Sequence, residues 1–144
     1  MRFVLDASVA LTWLLRNGSE RDATEAFAWL ARLKEAPAEA VMPAIGFLEV
    51  ANVIARAEAR GLVSVAHVEA FLTLLRALPL RLDAESPELA LGPTLDLARR
   101  YALSAYDASY LEVALRRGLP LVSFDAELNR AAGRAGLPPT PTAV

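Results

Sequence analysis

Apolar residues along this chain keep two rhythms, and the switches between them mark the elements. The opening "RFVL" is a short apolar run cut off at once by Asp6, so residues 2 to 5 are predicted as a buried strand. Apolar positions then recur at helical spacing through about Leu15, where Asn17 and Gly18 end a helix that Asp6 or Ser8 can cap. Ser19 and Asp22 make a capping-box-like start for a second helix, with Phe27, Leu30 and Leu33 apolar. That helix is expected to run to about Ala36, before Pro37 stops it.

"AVMPAI", residues 40 to 45, holds a second strand ending near Met42, and Pro43 opens a helix that reaches Arg60 and is closed by Gly61. Its apolar positions are so dense that it reads as buried nearly all round, with Glu49, Asn52, Arg56 and Arg60 along one narrow polar stripe. Ser64 begins a fourth helix, to about Ala77, and "LPLRLD" alternates as a third strand. Residues 86 to 102 are helical in character, with Gly92-Pro93 marking either a break or a late true start of the helix. Ser104 with Asp107 starts a further helix through Arg117, closed by Gly118; "LPLVSF" is a fourth strand, and 126 to 135 a last helix ended by Gly136.

Short apolar strands alternating with helices predict an α/β fold, a three-layer α/β/α sandwich with a central, mostly parallel sheet. Its extent is expected to be one domain over 1–144, with 137–144 as a proline-rich tail forming at most an edge strand or extended cover.

Composition narrows the chemistry. There is no cysteine, which removes disulfides, thiolate zinc sites and a cysteine nucleophile. His67 is the only histidine, and its neighbours Val65, Val68, Phe71 and Leu72 place it on a helix surface rather than in a triad or a metal site. The formal charge of -2 gives no global field for nucleic acid, so any phosphate contact has to be local. No apolar segment approaches a membrane span, and the chain reads as soluble and cytoplasmic.

The acids then stand out. Asp6 and Asp125 each follow a strand, at the carboxyl edge where open parallel sheets bind ligands. Each also has a plain role as a helix N-cap, and Asp107 has one as the answer to Ser104. Glu49 sits in an apolar helix, where its stripe can face solvent or a polar cleft. If the sheet brings the first and fourth strand ends together, Asp6, Glu49, Asp107 and Asp125 can converge. Clustered carboxylates raise one another's pKa unless a cation neutralises them. Oxygen ligands without cysteine or an available histidine select a hard ion, Mg²⁺ or Mn²⁺.

Three segments, "FVLDASVALTWLL", "PAIGFLEVANVIARAEARG" and "YALSAYDASYLEVALRRGLPLVSFDAELNRAA", make the chain resemble the PIN-domain family, specifically the VapC-type ribonuclease toxins of prokaryotic toxin–antitoxin pairs. The most specific portion is "YDASYLEVA" followed by "GLPLVSFD". The resemblance implies a Mg²⁺- or Mn²⁺-dependent endoribonuclease. Its metal-holding acids fall on Asp6, Glu49, Asp107 and Asp125, with Ser8 and Ser123 as polar neighbours; Asn52, from the polar stripe that carries Glu49, is a further supporting candidate read from the helix pattern. It implies in-line hydrolysis leaving a 5′-phosphate and a 3′-hydroxyl. Ser123 stands where the family more often has threonine, which keeps the hydroxyl, and the prolines of the tail weaken the short final strand usual for the family.

Arg16, Arg56, Arg60, Arg99, Arg116 and Arg117 are candidates for phosphate contacts, and Tyr106 and Tyr110 for base stacking or simple packing. Single-stranded or looped RNA is the expected substrate. The fourth helix has an apolar face wider than one small core needs, either core or partner surface. The resemblance assigns such surfaces to a homodimer and to a groove for a helix of a cognate VapB-type antitoxin, with Trp13 and Trp29 lining the groove or filling the core. An idle PIN-like module that binds RNA or protein is the alternative. A phosphoacceptor receiver-like domain is disfavoured, because it needs paired acids after the first strand.

Overall fold

In the computed structural model, which describes residues 1–35 and 37–143, four strands form one sheet. They are β1 (Arg2–Leu5), β2 (Glu39–Pro43), β3 (Leu80–Asp83) and β4 (Leu121–Val122), all parallel, in the order β3-β2-β1-β4. The central strands are continuously apolar and buried, as strands covered on both faces must be: Phe3, Val4 and Leu5 in β1, Ala40, Val41 and Met42 in β2. The edge strand β3 leaves Arg81 and Leu82 exposed. β4 pairs over two residues, shorter than "LPLVSF", although flanking backbone bonds from Val4 N–H to Pro120 O and from Asp6 N–H to Val122 O extend the contact.

Helices α1 (Ala7–Leu15) and α2 (Glu20–Lys34) connect β1 to β2, and α3 (Ala44–Ala59) and α4 (Val65–Ala77) connect β2 to β3. A π-helical turn (Ala90–Thr94), α5 (Leu95–Tyr101) and α6 (Ala105–Arg117) lead back to β4, which α7 (Ala126–Arg134) follows. The chain thus steps outward from β1 to β3 and then returns past β1 to lay down β4. Parallel crossovers are right-handed, so this reversal sends the later helices to the opposite face of the sheet from the earlier ones. It also makes the β1/β4 junction the switch point, where the crevice beyond the strand ends is open to a ligand.

Local signals account for most boundaries. Ser19 and Asp22 form a complete capping box on α2, and the Ser64 and Ser104 hydroxyls accept the N–H groups of His67 and Asp107. The expected end of α2 near Ala36 lies outside the described residues. The first helix ends at Leu15, as expected, but Arg16 rather than Asn17 or Gly18 closes it. Arg16 itself takes the left-handed conformation (φ 50°), and its guanidinium stacks 5.4 Å from the Phe27 ring centroid, which offsets the backbone cost. At Gly92-Pro93 the late start holds: residues 84–89 are turns, a π-helical turn spans Pro93, which has no N–H to give while Thr94 N–H reaches back to Leu89 O, and the regular helix begins at Leu95.

Helix α3 differs from the sequence reading. Gly46, Val50, Ile54 and Ala57 face the core, whereas Phe47, Leu48, Ala51 and Ala55 are exposed, so it is buried on one side only. Trp13 and Trp29 both lie in the core. Trp13 Nε1 donates to Ala26 O at 2.7 Å, and Trp29 packs on Phe3 with ring centroids 4.6 Å apart. The tail forms no strand over residues 137–143. It runs extended beside β4, where the Thr140 hydroxyl donates to Leu121 O at 2.9 Å.

Candidate active site

Asp6 is carried past the end of β1 by a single backbone bond to β4, and the register that pairs Leu5 with Val122 sets it beside Ser123. Its side chain is 5% exposed. Although Asp6 occupies the N-cap position of α1, it makes no capping hydrogen bond, contrary to the plain reading of the sequence. Its Oδ2 instead accepts from the Ser8 hydroxyl at 2.7 Å and the Ser123 hydroxyl at 2.6 Å. The two serines are themselves fixed, Ser8 Oγ accepting Phe124 N–H and Ser123 Oγ accepting Asp125 N–H. Burial pushes the Asp6 carboxyl above the ordinary range; the Ser123 and Ser8 hydrogen bonds pull it back, and Asp125 pushes it up again.

Of the other three acids, Glu49 and Asp107 come from helices and Asp125 from the turn that leads into α7. Glu49, half-buried on α3, is raised by burial, lowered by a hydrogen bond from Tyr110, and raised by the charges of Asp6 and Asp107. Asp107, in the first turn of α6, is raised by burial and by Asp125 and Asp6, against a lowering from Ser104. Asp125 is more exposed and does cap α7, its Oδ1 accepting Leu128 N–H at 2.8 Å. Asp125 thus acts on Asp6 and Asp107, and Asp6 on Glu49 and Asp107, while no ion pair to any of the four acids forms among the described residues. A set of hard oxygen donors without an ion-pair partner is chemically suited to a divalent ion. As the side chains stand, no three of them close around a common point among the described residues.

Tyr110 links these parts. It is fully buried, so it cannot stack on a base, whereas Tyr106 is 62% exposed and can. The Tyr110 hydroxyl donates to Glu49 Oε1 at 2.9 Å and accepts the Ala7 N–H at 3.3 Å. Burial, then the Asp6 and Glu49 charges, hold its pKa far above the usual phenol range, so it stays a donor. The sequence offered a signal for this: a tyrosine inside the apolar stretch "ASYLEVA" has to find a partner for its buried hydroxyl. Asn129, which sequence reasoning also passed over, donates from Nδ2 to Ser123 O at 2.9 Å and so braces the loop after β4.

Asn52 does not join the acids; it is exposed on α3 with Arg56 and Arg60, and no ion pair forms between Glu49 and Arg56 among the described residues. A third strand-ending acid, Asp83, was not distinguished from its surroundings by the sequence. Fully buried, it is bound by Arg116 Nη2 at 2.7 Å and Arg117 Nε at 2.6 Å. Burial alone would raise its pKa, but the two guanidinium groups outweigh it and hold the carboxyl below the usual range. Arg116 and Arg117 are thereby committed to structure, Arg99 pairs with Asp96, and Arg16 covers Phe27.

A PIN-domain family model matches residues 3–134. The chain belongs to the PIN-domain family. PIN domains are generally nucleases and typically use divalent metal ions, in keeping with an acid cluster at the sheet's switch point. The crystal structure of PAE2754 from Pyrobaculum aerophilum is similar in fold, with a TM-score of 0.60 and 24% identity over 91% of this chain and 79% of that one. No curated protein matches the chain. No helix among the described residues is long and apolar enough to cross a membrane.

Proposed function

We propose that this PIN domain is a Mg²⁺- or Mn²⁺-dependent endoribonuclease and the toxin of a VapBC-type pair. One observation carries the reading: Asp6, Glu49 and Asp107 are each held above the ordinary carboxylate range by burial and by at least one neighbouring carboxylate, and none of them forms an ion pair among the described residues. Asp6, Asp107 and Asp125 would hold the ion, with Glu49 completing the set. A bound divalent cation supplies neutralisation of charge building on the phosphate and a water acidic enough to attack near neutral pH. Ser8 and Ser123 keep the Oδ2 oxygen of Asp6 fixed. Attack by water needs no covalent enzyme intermediate, so the acids would serve direct hydrolysis.

Arg56 and Arg60, exposed on α3 and unpaired among the described residues, are the arginines best placed to meet the RNA backbone. The apolar cavity of about 310 Å³ between α3 and α4, walled by Phe47, Val50, Ile54, Leu72 and Leu75, supports the antitoxin reading, because it suits the apolar face of a helix. A homodimer and a cytoplasmic location belong to the same proposal.

Purified protein mixed with a structured RNA should cut it only with Mg²⁺ or Mn²⁺, leave 5′-phosphate ends, and lose the activity with Asp6→Asn or Asp107→Asn. Cutting that is absent, or indifferent to both substitutions, refutes the enzyme. A second reading, an idle binding module, is favoured by the failure of any three acids to close on one point. Calorimetric titration with Mn²⁺ separates the two, since only the nuclease requires binding that Asp6→Asn removes.

A further inference from the structure

The geometry points to Tyr110 as a positioning residue that sets the Glu49 carboxylate and the Asp6 turn relative to each other. The inference rests on the reading of Glu49 as a metal-holding acid.

Three observations support it. The phenol oxygen of Tyr110 is shared between two of the elements that carry acids. It donates to Glu49 Oε1 on α3 and accepts the N–H of Ala7, the residue directly after Asp6. Tyr110 also lies three residues after Asp107 on α6, so it shares a helix face with the third acid. One hydroxyl therefore ties the β1–α1 turn to α3 from a helix that itself bears Asp107.

The slot that admits the hydroxyl is built by the sequence. Gly46 lies one turn before Glu49 on α3, and a Cβ there would stand 2.7 Å from the Tyr110 oxygen and 2.4 Å from Met42 Cγ. Only glycine lets the phenol reach the helix at this point. The ring itself is fully buried, so the hydroxyl has little freedom to leave its two partners.

A donor fixed on one carboxylate oxygen leaves the other as the one that can turn to a ligand. Removing it frees Glu49 to rotate, and orienting partners of metal-holding groups typically contribute about 10- to 100-fold to metal affinity. Tyr110→Phe keeps the ring and deletes only the oxygen. Calorimetry of metal-free protein with Mn²⁺ should show Kd raised about 10-fold in Tyr110→Phe, and Gly46→Ala, which crowds the hydroxyl without deleting it, should move Kd the same way. RNA cleavage should need correspondingly more Mn²⁺ and recover most of its kcat when the ion is raised.

The deciding comparison is the double variant. If Tyr110 acts through Glu49, Tyr110→Phe adds almost nothing to the Mn²⁺ defect of Glu49→Gln, whereas a general loosening of the fold adds its full effect in both backgrounds. Equal Mn²⁺ affinity in wild type and Tyr110→Phe, or full additivity with Glu49→Gln, overturns the inference while leaving the metal reading intact. Wild-type protein that binds no Mn²⁺ in an Asp6-dependent way overturns both.

Discussion

Asp83→Asn tests whether an acid at the end of a strand is structural when arginines surround it. The side chain of Asp83 is completely buried, and Arg116 and Arg117 approach it from consecutive positions at the end of α6, locking that helix to the edge strand. The substitution conserves shape and removes the charge, turning an acceptor toward a guanidinium into an amide donor. Breaking a buried ion pair by removing one partner costs about 3–5 kcal/mol when the other charge is stranded. Here the arginine side chains are 25% and 29% exposed, and Arg116 retains Glu112 and Glu85, so part of the loss is recovered by water and by those partners. The expected cost is therefore at the lower end, about 3 kcal/mol, which for a chain of this length lowers Tm by about 10 °C.

Two-state denaturant unfolding at pH 7 and at lower pH checks both size and origin. Because Asp83 is held below its ordinary pKa in the folded protein, its contribution is complete above the unfolded carboxyl value, about 3.9, and fades as pH falls through the folded one. The gap between wild type and variant should thus be full at neutral pH and shrink in strong acid. A Tm within about 2 °C of wild type at pH 7, or a gap that persists unchanged in acid, would refute the reasoning.

Two further outcomes follow from the same structure. Asp6→Asn should raise the stability of the metal-free protein at neutral pH, since a carboxyl whose folded pKa is raised makes the folded state less stable as pH increases; the gain should vanish near pH 4, and an Asn variant that melts below wild type at pH 7 contradicts it. Gly46→Ala should destabilise by about 1–2 kcal/mol despite alanine's better helix propensity, because the new methyl meets Met42 and Tyr110 inside normal contact distance; a variant as stable as wild type in denaturant melts counts against the close packing.

Much of this arrangement was legible in the chain. Strand ends followed by acids, serine caps and the Gly118 stop are local signals, and local signals survive into the fold because neighbouring residues decide them. The parallel sheet followed from alternation of short apolar runs with helices. What could not be read were features set by distant partners. Asp6 and Asp83 each end a strand in the sequence, yet the first meets two serine hydroxyls and other acids while the second meets two arginines. The inward turn of Glu49 likewise depends on Tyr110, sixty-one positions away, and the exposed side of α3 depends on what fails to pack over Phe47 and Leu48.

That contrast bears on how such a site can exist at all. Carboxylates at a sheet edge are tolerated in two ways, by a permanent cationic partner or by an exchangeable one. Asp83 has the permanent kind, and its arginines fix α6 in place. The acids at the β1/β4 junction form no ion pair among the described residues, so their mutual repulsion remains in the folded protein and is available to be relieved by binding. The loss of Asp83 is therefore expected to cost stability at neutral pH, whereas the loss of Asp6 is expected to return stability to the fold and, on the function proposed above, to cost the site its metal.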